Sequence, residues 1–144
     1  MKKLLSLITV MLLTACGSDS DSDSDKSVEN ISDLEGVYDL TTRHSDNEVD
    51  EFYMHIDKSG YISYYDYAGD SYDNEGNCYW IDIKDSQITK TNNGFRITER
   101  DDDYIDVSIS LTSSSITLKT DRENVSYPRS SRQLNDFSPD CDDI

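Results

Sequence analysis

The stretch Tyr104-Ile105-Asp106-Val107-Ser108-Ile109-Ser110-Leu111 decides the fold class. Ile105, Val107, Ile109 and Leu111 fall on one side of an extended chain, and Tyr104, Asp106, Ser108 and Ser110 fall on the other. Strand side chains alternate with a period of two, so this octet reads as a strand with one face in a core and one in water. The same alternation recurs outward in both directions. Phe52, Met54 and Ile56 alternate with Tyr53, His55 and Asp57, and Tyr79, Ile81 and Ile83 alternate with Cys78, Trp80 and Asp82. Phe95 and Ile97 alternate with Arg96 and Thr98, and Ile116 and Leu118 with Thr117 and Lys119.

Turn signals separate these runs: Asp57 to Gly60, Lys84-Asp85, Asn92-Asn93-Gly94, Asp101 to Asp103, Ser113 to Ser115 and Asp121 to Asn124. Strands are expected near 36–42, 51–57, 60–67, 78–84, 86–91, 94–99, 104–111, 115–120 and 125–131. The expectation is an all-β domain, a single antiparallel up-and-down meander of eight or nine strands. Closing it into a small barrel removes the exposed sheet edges. Pro128 suits an edge or bulge position, and one short helical turn is expected near 131–137.

The chain has 144 residues, enough for one domain, with 13 basic and 30 acidic side chains and a formal charge of −17. That excess opposes binding to nucleic-acid phosphates and to anionic lipid headgroups. Residues 1–15 read as a leader: Lys2 and Lys3, then the apolar run Leu4 to Leu13, too short to span a bilayer. Leu13-Thr14-Ala15-Cys16 resembles the lipobox of bacterial lipoproteins. The resemblance implies a diacylglyceryl thioether on Cys16, cleavage before it, and a protein anchored to the membrane without spanning it. Gly17, in place of the Asp that marks inner-membrane retention, implies the outer membrane of a Gram-negative cell. The periplasmic face is the expected one, with surface display left open. Removal of the leader leaves eleven basic side chains against 30 acidic, a formal −19. Residues 16–32 then form a tether, with Gly17 to Asp25 carrying no apolar side chain to offset its ordering entropy. The folded domain is expected over 33–144.

Leu34-Glu35-Gly36-Val37-Tyr38-Asp39-Leu40-Thr41 resembles the opening strand of lipocalin-like lipoproteins, which begin Leu-x-Gly-x-Trp. Phe52 to Tyr65, with its turn at Asp57 to Gly60, is similar to their second hairpin. The resemblance spans about 34–131 and implies a lipocalin-like barrel. Tyr38 stands where the family has Trp.

With Cys16 assigned to lipid, Cys78 and Cys141 are an even pair in an oxidising compartment. A disulfide between them is expected, stapling the C-terminal tail to the body. Free thiols or a metal site are the alternatives.

Seven of the ten tyrosines lie between Tyr53 and Tyr79. Tyr61, Tyr64, Tyr65, Tyr67, Tyr79 and Trp80 are the candidate ligand-binding residues, because rigid rings with polar tips suit sugars, peptides or aromatic ligands. Strand propensity and cross-strand packing explain the same residues without a ligand. Tyr61, Tyr65 and Tyr67 share a strand face, opposite Tyr64. Asp70, Asp73, Glu75 and Asp82 form a weak calcium-loop candidate that lacks the Asp-first, Glu-last pattern, so no metal is assigned. His44 and His55 are the two histidines, too few for a zinc site and read as exposed. Asn30-Ile31-Ser32 and Asn124-Val125-Ser126 match the glycosylation pattern, which a bacterial lipoprotein does not use.

No G-x-S-x-G, HExxH or phosphate loop is present, and no cofactor is called for. The reading is a non-enzymatic binding module for a small ligand or an envelope protein. The alternative is a structural or accessory protein of the envelope, and an enzyme is a third reading.

Overall fold

The computed structural model describes residues 26–43, 49–69 and 77–143. The leader, Cys16, most of the tether, His44 and three members of the acidic loop (Asp70, Asp73 and Glu75) lie outside them. The described strands are β1 (Lys26–Ser27), β2 (Gly36–Asp39), β3 (Thr42–Arg43), β4 (Val49–Asp50), β5 (Phe52–Ile56), β6 (Tyr61–Tyr67), β7 (Tyr79–Thr91), β8 (Gly94–Glu99), β9 (Tyr104–Leu111), β10 (Ser115–Lys119) and β11 (Asn124–Pro128). Eight of them run β11-β10-β9-β8-β7-β6-β5-β2, each antiparallel to the next, so the all-β meander is as expected. β3 and β4 form a separate ribbon between β2 and β5. Among the described residues helical structure is limited to short 3-10 turns, the complete ones at Ile31–Leu34, Leu134–Asp136 and Cys141–Asp143.

Strand ends differ from expectation by a few residues, as where β2 stops at Asp39 and β11 at Pro128, and one expected break is absent. Lys84-Asp85 is not a turn: β7 runs unbroken through it from Tyr79 to Thr91. The register against β6 shifts between Ile62 and Tyr64, where Ser86 and Asp82 are the partners, so β7 carries the extra residues. Lys84 takes φ 52 and its amide donates to Ser63 Oγ. A turn-like pair of residues therefore makes a bulge, which bends one long strand instead of ending it.

Cross-strand pairs place one residue of each alternating pair inside. Phe95 lies opposite Val107, Ile97 opposite Ile105, and Leu118 opposite Ile109. Leu34, Tyr38, Met54, Ile56, Ile62, Ile88, Phe95, Val107, Ile109 and Ile116 fill the bore, none more than 6% exposed. The barrel closes between β2 and β11 through a bridge from Tyr38 to Arg129, and Ser130 N–H donates to Val37 O.

One end of the bore is plugged from the N-terminal side. β1 pairs with the last residues of β9, Lys26 opposite Leu111, and the chain then carries Val28, Ile31 and Leu34 onto the core. The β5–β6 turn lies under this plug. Gly60 has φ +84, and a Cβ there would fall 2.6 Å from Ile88 O and 2.8 Å from Ile31 Cγ2, so only glycine fits. Arg129 ties the plug to the seam. Its Nη1 donates to Glu35 O, its Nη2 to Tyr38 Oη, and Tyr38 Oη donates to Leu34 O at 2.8 Å. The guanidinium occupies the space that a Gly36 side chain would take, 2.4 Å from the Cβ position.

Beyond β11 the chain folds back over the outer face of β2, β5, β6 and β7. Phe137, 2% exposed, sits among Tyr53, Tyr65 and Tyr79 with ring centroids 5.1, 4.4 and 5.4 Å away. Cys141 closes on Cys78 with an S–S distance of 2.03 Å, so the expected disulfide is formed. Tyr79 N–H donates to Pro139 O across the join.

Candidate functional site

The six aromatic candidates divide between three environments. Tyr65 and Tyr79 lie on the outer face beneath Phe137, each 5% exposed. Arg132 locks that face: Nη1 donates to Tyr79 Oη at 2.9 Å, Nη2 to Glu51 at 3.2 Å, and the guanidinium stacks 5.0 Å from the Tyr53 ring. Tyr67 packs at the margin of this cluster and donates to Asn77 Oδ1. Tyr61 is on the same outer face, half-buried, with Lys84 Nζ 4.8 Å from its ring.

Tyr64 and Trp80 stand apart, toward the inner side of the barrel's other end, which no plug covers among the described residues. Tyr64 stacks on Phe52 at 5.5 Å and packs against the core. Its strand neighbours alternate with it, so Ile62 and Tyr64 point inward and Ser63 and Tyr65 outward. Trp80 lies opposite Asp66 and is 38% exposed. It belongs to the half of β7 that overhangs, since β8 pairs with β7 only from Ser86 to Thr91.

The inner face changes character along the barrel axis. Toward the plugged end Leu34, Ile56, Ile88 and Ile116 are fully buried, with Val28, Ile31 and Leu111 partly buried at its margin. Toward the other end Leu40, Tyr64, Ile97, Leu118 and Tyr127 are only partly buried, and Ile105 is 44% exposed although it shares the inward face of β9. Ile83, at the bulge, is 56% exposed. Large apolar side chains left partly in water mark this end as a candidate contact surface.

Carboxylates rim this end. The Asp101–Asp103 turn joins β8 to β9, with Glu99 on the inner face of β8 and Asp85 beside the bulge. Asp121 and Glu123 stand on the β10–β11 turn. Burial raises the Tyr64 hydroxyl pKa; its Ser86 hydrogen bond opposes the shift, while the Asp85 and Glu99 carboxylates and Tyr127 add to it. Tyr127 is likewise raised by burial, with Glu123 adding to it. The aromatic hydroxyls thus sense negative charge from two sides. Arg100 answers part of it, 3.9 Å from Asp85 and within hydrogen-bond distance of Ile83 O.

Of the acidic-loop candidates, Asp82 is exposed on β7 opposite Tyr64. Among the described residues no group of three or more His, Cys, Asp or Glu converges on a metal position. His55 is half-buried on the outer face, and burial lowers its pKa while Asp57 and Glu35 oppose the shift. A groove of about 540 Å³ crosses the outer surface between Asn92-Asn93 and the end of β10, lined mainly by polar side chains and spanned by the Arg96–Asp106 pair at 2.7 Å.

Sequence reasoning did not find Arg129, Arg132 or Phe137. Arg129 reaches Glu35 O across 94 positions, and no local pattern marks such a contact. Phe137 carried a usable signal: an apolar ring four residues before a cysteine expected to be pinned to the sheet.

The groups gathered at the unplugged end, apolar area, phenol hydroxyls and carboxylates, are groups that hold a ligand. Comparison with protein-family models, with curated proteins and with solved structures gives no significant match for this chain.

Proposed function

We propose that this is a lipid-anchored envelope lipoprotein whose barrel is a non-enzymatic binding module, with its site at the unplugged end. In this reading Cys16 carries the lipid, residues 17–25 hold the domain away from the bilayer, and the protein resides on the periplasmic face of the outer membrane. One observation carries the assignment of the site. The tyrosine-rich outer face is filled by the protein's own Phe137, whereas Ile105 and Trp80 at the barrel mouth remain 44% and 38% exposed.

Native mass spectrometry of the lipoprotein, extracted in mild detergent from its own envelope, tests this. A stoichiometric added mass is expected, together with its loss in an Ile105→Asp variant. A clean apo mass in the unmodified protein would remove the small-ligand form of the proposal. Retention of the mass in Ile105→Asp would move the site elsewhere.

A further inference from the structure

We infer that the occupant of the barrel mouth is a basic amphipathic segment of another protein, an extended or helical stretch in which Lys or Arg flank apolar residues. This rests on placing the site at the unplugged end, and it specifies what binds there.

Three observations support it. First, the bore is filled below the mouth: Ile62, Ile88, Phe95, Val107 and Ile109 are at most 6% exposed. A small hydrophobic ligand needs an enclosed pocket for most of its surface, and a filled bore denies it depth. The exposed apolar side chains are instead spread across the rim, on the overhanging half of β7 and on β9. A broad, shallow apolar surface fits a polypeptide segment.

Second, the charge is uneven along the barrel axis. The mouth carries Asp85, Glu99, Asp101, Asp102 and Asp103 on one side and Asp121 and Glu123 on the other, against Lys84, Arg100 and Arg122. The plugged end balances Glu29, Asp33, Glu35 and Asp57 with Lys26, Lys58, Lys90 and Arg129. A potential of one sign around an apolar surface selects a partner of the opposite sign and speeds its encounter.

Third, the carboxylates lie beside the apolar groups and not apart from them. Glu99 lies across the ladder from Ser86, the hydrogen-bond partner of Tyr64, and Asp85 precedes Ser86 in β7, while Tyr64 stacks on Phe52. A partner that buries apolar residues here brings its own flanking charges against those acids. Anionic lipid would meet the same acids as repulsion.

Trp80 is the chain's one tryptophan, so its emission reports directly on the mouth. The full-length lipoprotein in neutral detergent is titrated with three synthetic amphipathic peptides sharing one apolar pattern, with Lys, Gln or Glu at the polar positions. The Lys peptide is expected to bind with a blue shift of Trp80 and at least tenfold more tightly than the Gln peptide; the Glu peptide should be weakest. The triple variant Asp101→Asn, Asp102→Asn, Asp103→Asn should lose at least tenfold for the Lys peptide only. Asn tolerates the positive φ of 70 at position 102, so the turn is preserved. Ile105→Ser should weaken the Lys and Gln peptides alike.

Equal affinity for Lys and Gln peptides would overturn the basic partner while leaving the site in place. Lys-peptide binding unchanged by Ile105→Ser would mean adhesion to an acidic surface, and would overturn the docking mode. If no peptide binds but a neutral apolar dye shifts Trp80 emission and Ile105→Ser abolishes that shift, the site stands and the occupant is wrong. If neither binds, both the site and its occupant fall.

Discussion

The two buried clusters of this molecule are built on opposite sides of the same strands, and they are held by different means. The bore is mainly aliphatic, from Leu34 to Ile116, and is enclosed by local hairpins with one long-range seam, from Tyr38 to Arg129. The outer cluster is Val37, Tyr53, Tyr65, Tyr79 and Phe137, and it exists because one segment returns from the end of the chain. Its ties span long separations: 63 positions for the disulfide, 53 for Arg132 to Tyr79 and 81 for Arg132 to Glu51. A meander turns alternation into a core by itself. Covering its second face takes a separate element with its own fastenings.

The largest break in this comparison is the disulfide. The Cys78→Ser, Cys141→Ser double variant should lose about 4 kcal/mol from loop-closure entropy, read as a lower urea midpoint. The loss should fall mainly on the outer cluster, leaving the bore assembled.

Next come paired truncations, one in each cluster. Ile88→Ala and Phe137→Ala should each cost about 3 kcal/mol, but hydrogen exchange should separate them. Tyr79 N–H, bonded to Pro139 O, should exchange faster in Phe137→Ala, while Ile88 N–H, bonded to Gly60 O, keeps its protection. Ile88→Ala should accelerate both. Equal acceleration of both amides by Phe137→Ala would make the two clusters one cooperative unit.

A smaller effect is expected for Arg132→Met, about 1 kcal/mol from the hydrogen bonds to Tyr79 and Glu51. It is read by thermal unfolding, and Glu51→Gln should add little once Arg132 is gone.

The smallest effect concerns pH. Burial depresses the His55 pKa below its ordinary 6.5. The unfolded chain therefore takes up the proton first, and this increment of stability is present above pH 6.5 and lost as pH falls through the folded-state value. His55→Asn should flatten that part of the stability profile in this outer-face region.

The same division governs what was legible in advance. Alternating runs such as Phe52 to Ile56 and Tyr104 to Leu111 name their own inner faces, so the barrel could be read from neighbouring residues; the run Tyr79 to Ile83 is the exception, since Tyr79 and Ile81 lie on the outer face beneath Phe137. The disulfide was legible because, on the expectation of an exported chain with Cys16 set aside for lipid, two cysteines remained and had few options. Lys84-Asp85 was misread because a bulge and a turn use the same residue types, and only the partner strand distinguishes them. The tyrosine-rich segment showed aromatic rings, but not that Phe137 would fill their outer face. The mouth was hardest to read. Trp80, Ile83 and Ile105 look like ordinary strand residues, and their exposure depends on where β8 stops.

The two-residue strand β1 also determines how a mechanical load would enter the domain. Tension on the chain upstream of Lys26 is delivered to the end of β9, a strand paired on both flanks, and then to the plug at Val28, Ile31 and Leu34. Two ladder positions form a short fuse, and behind it the apolar wedge must be dragged out of the barrel floor before any hairpin is peeled. The mouth lies at the opposite pole and is outside that load path. On the proposed anchoring at Cys16, drag on a captured partner would strain the floor first, leaving the gripping surface undistorted until the wedge gives way.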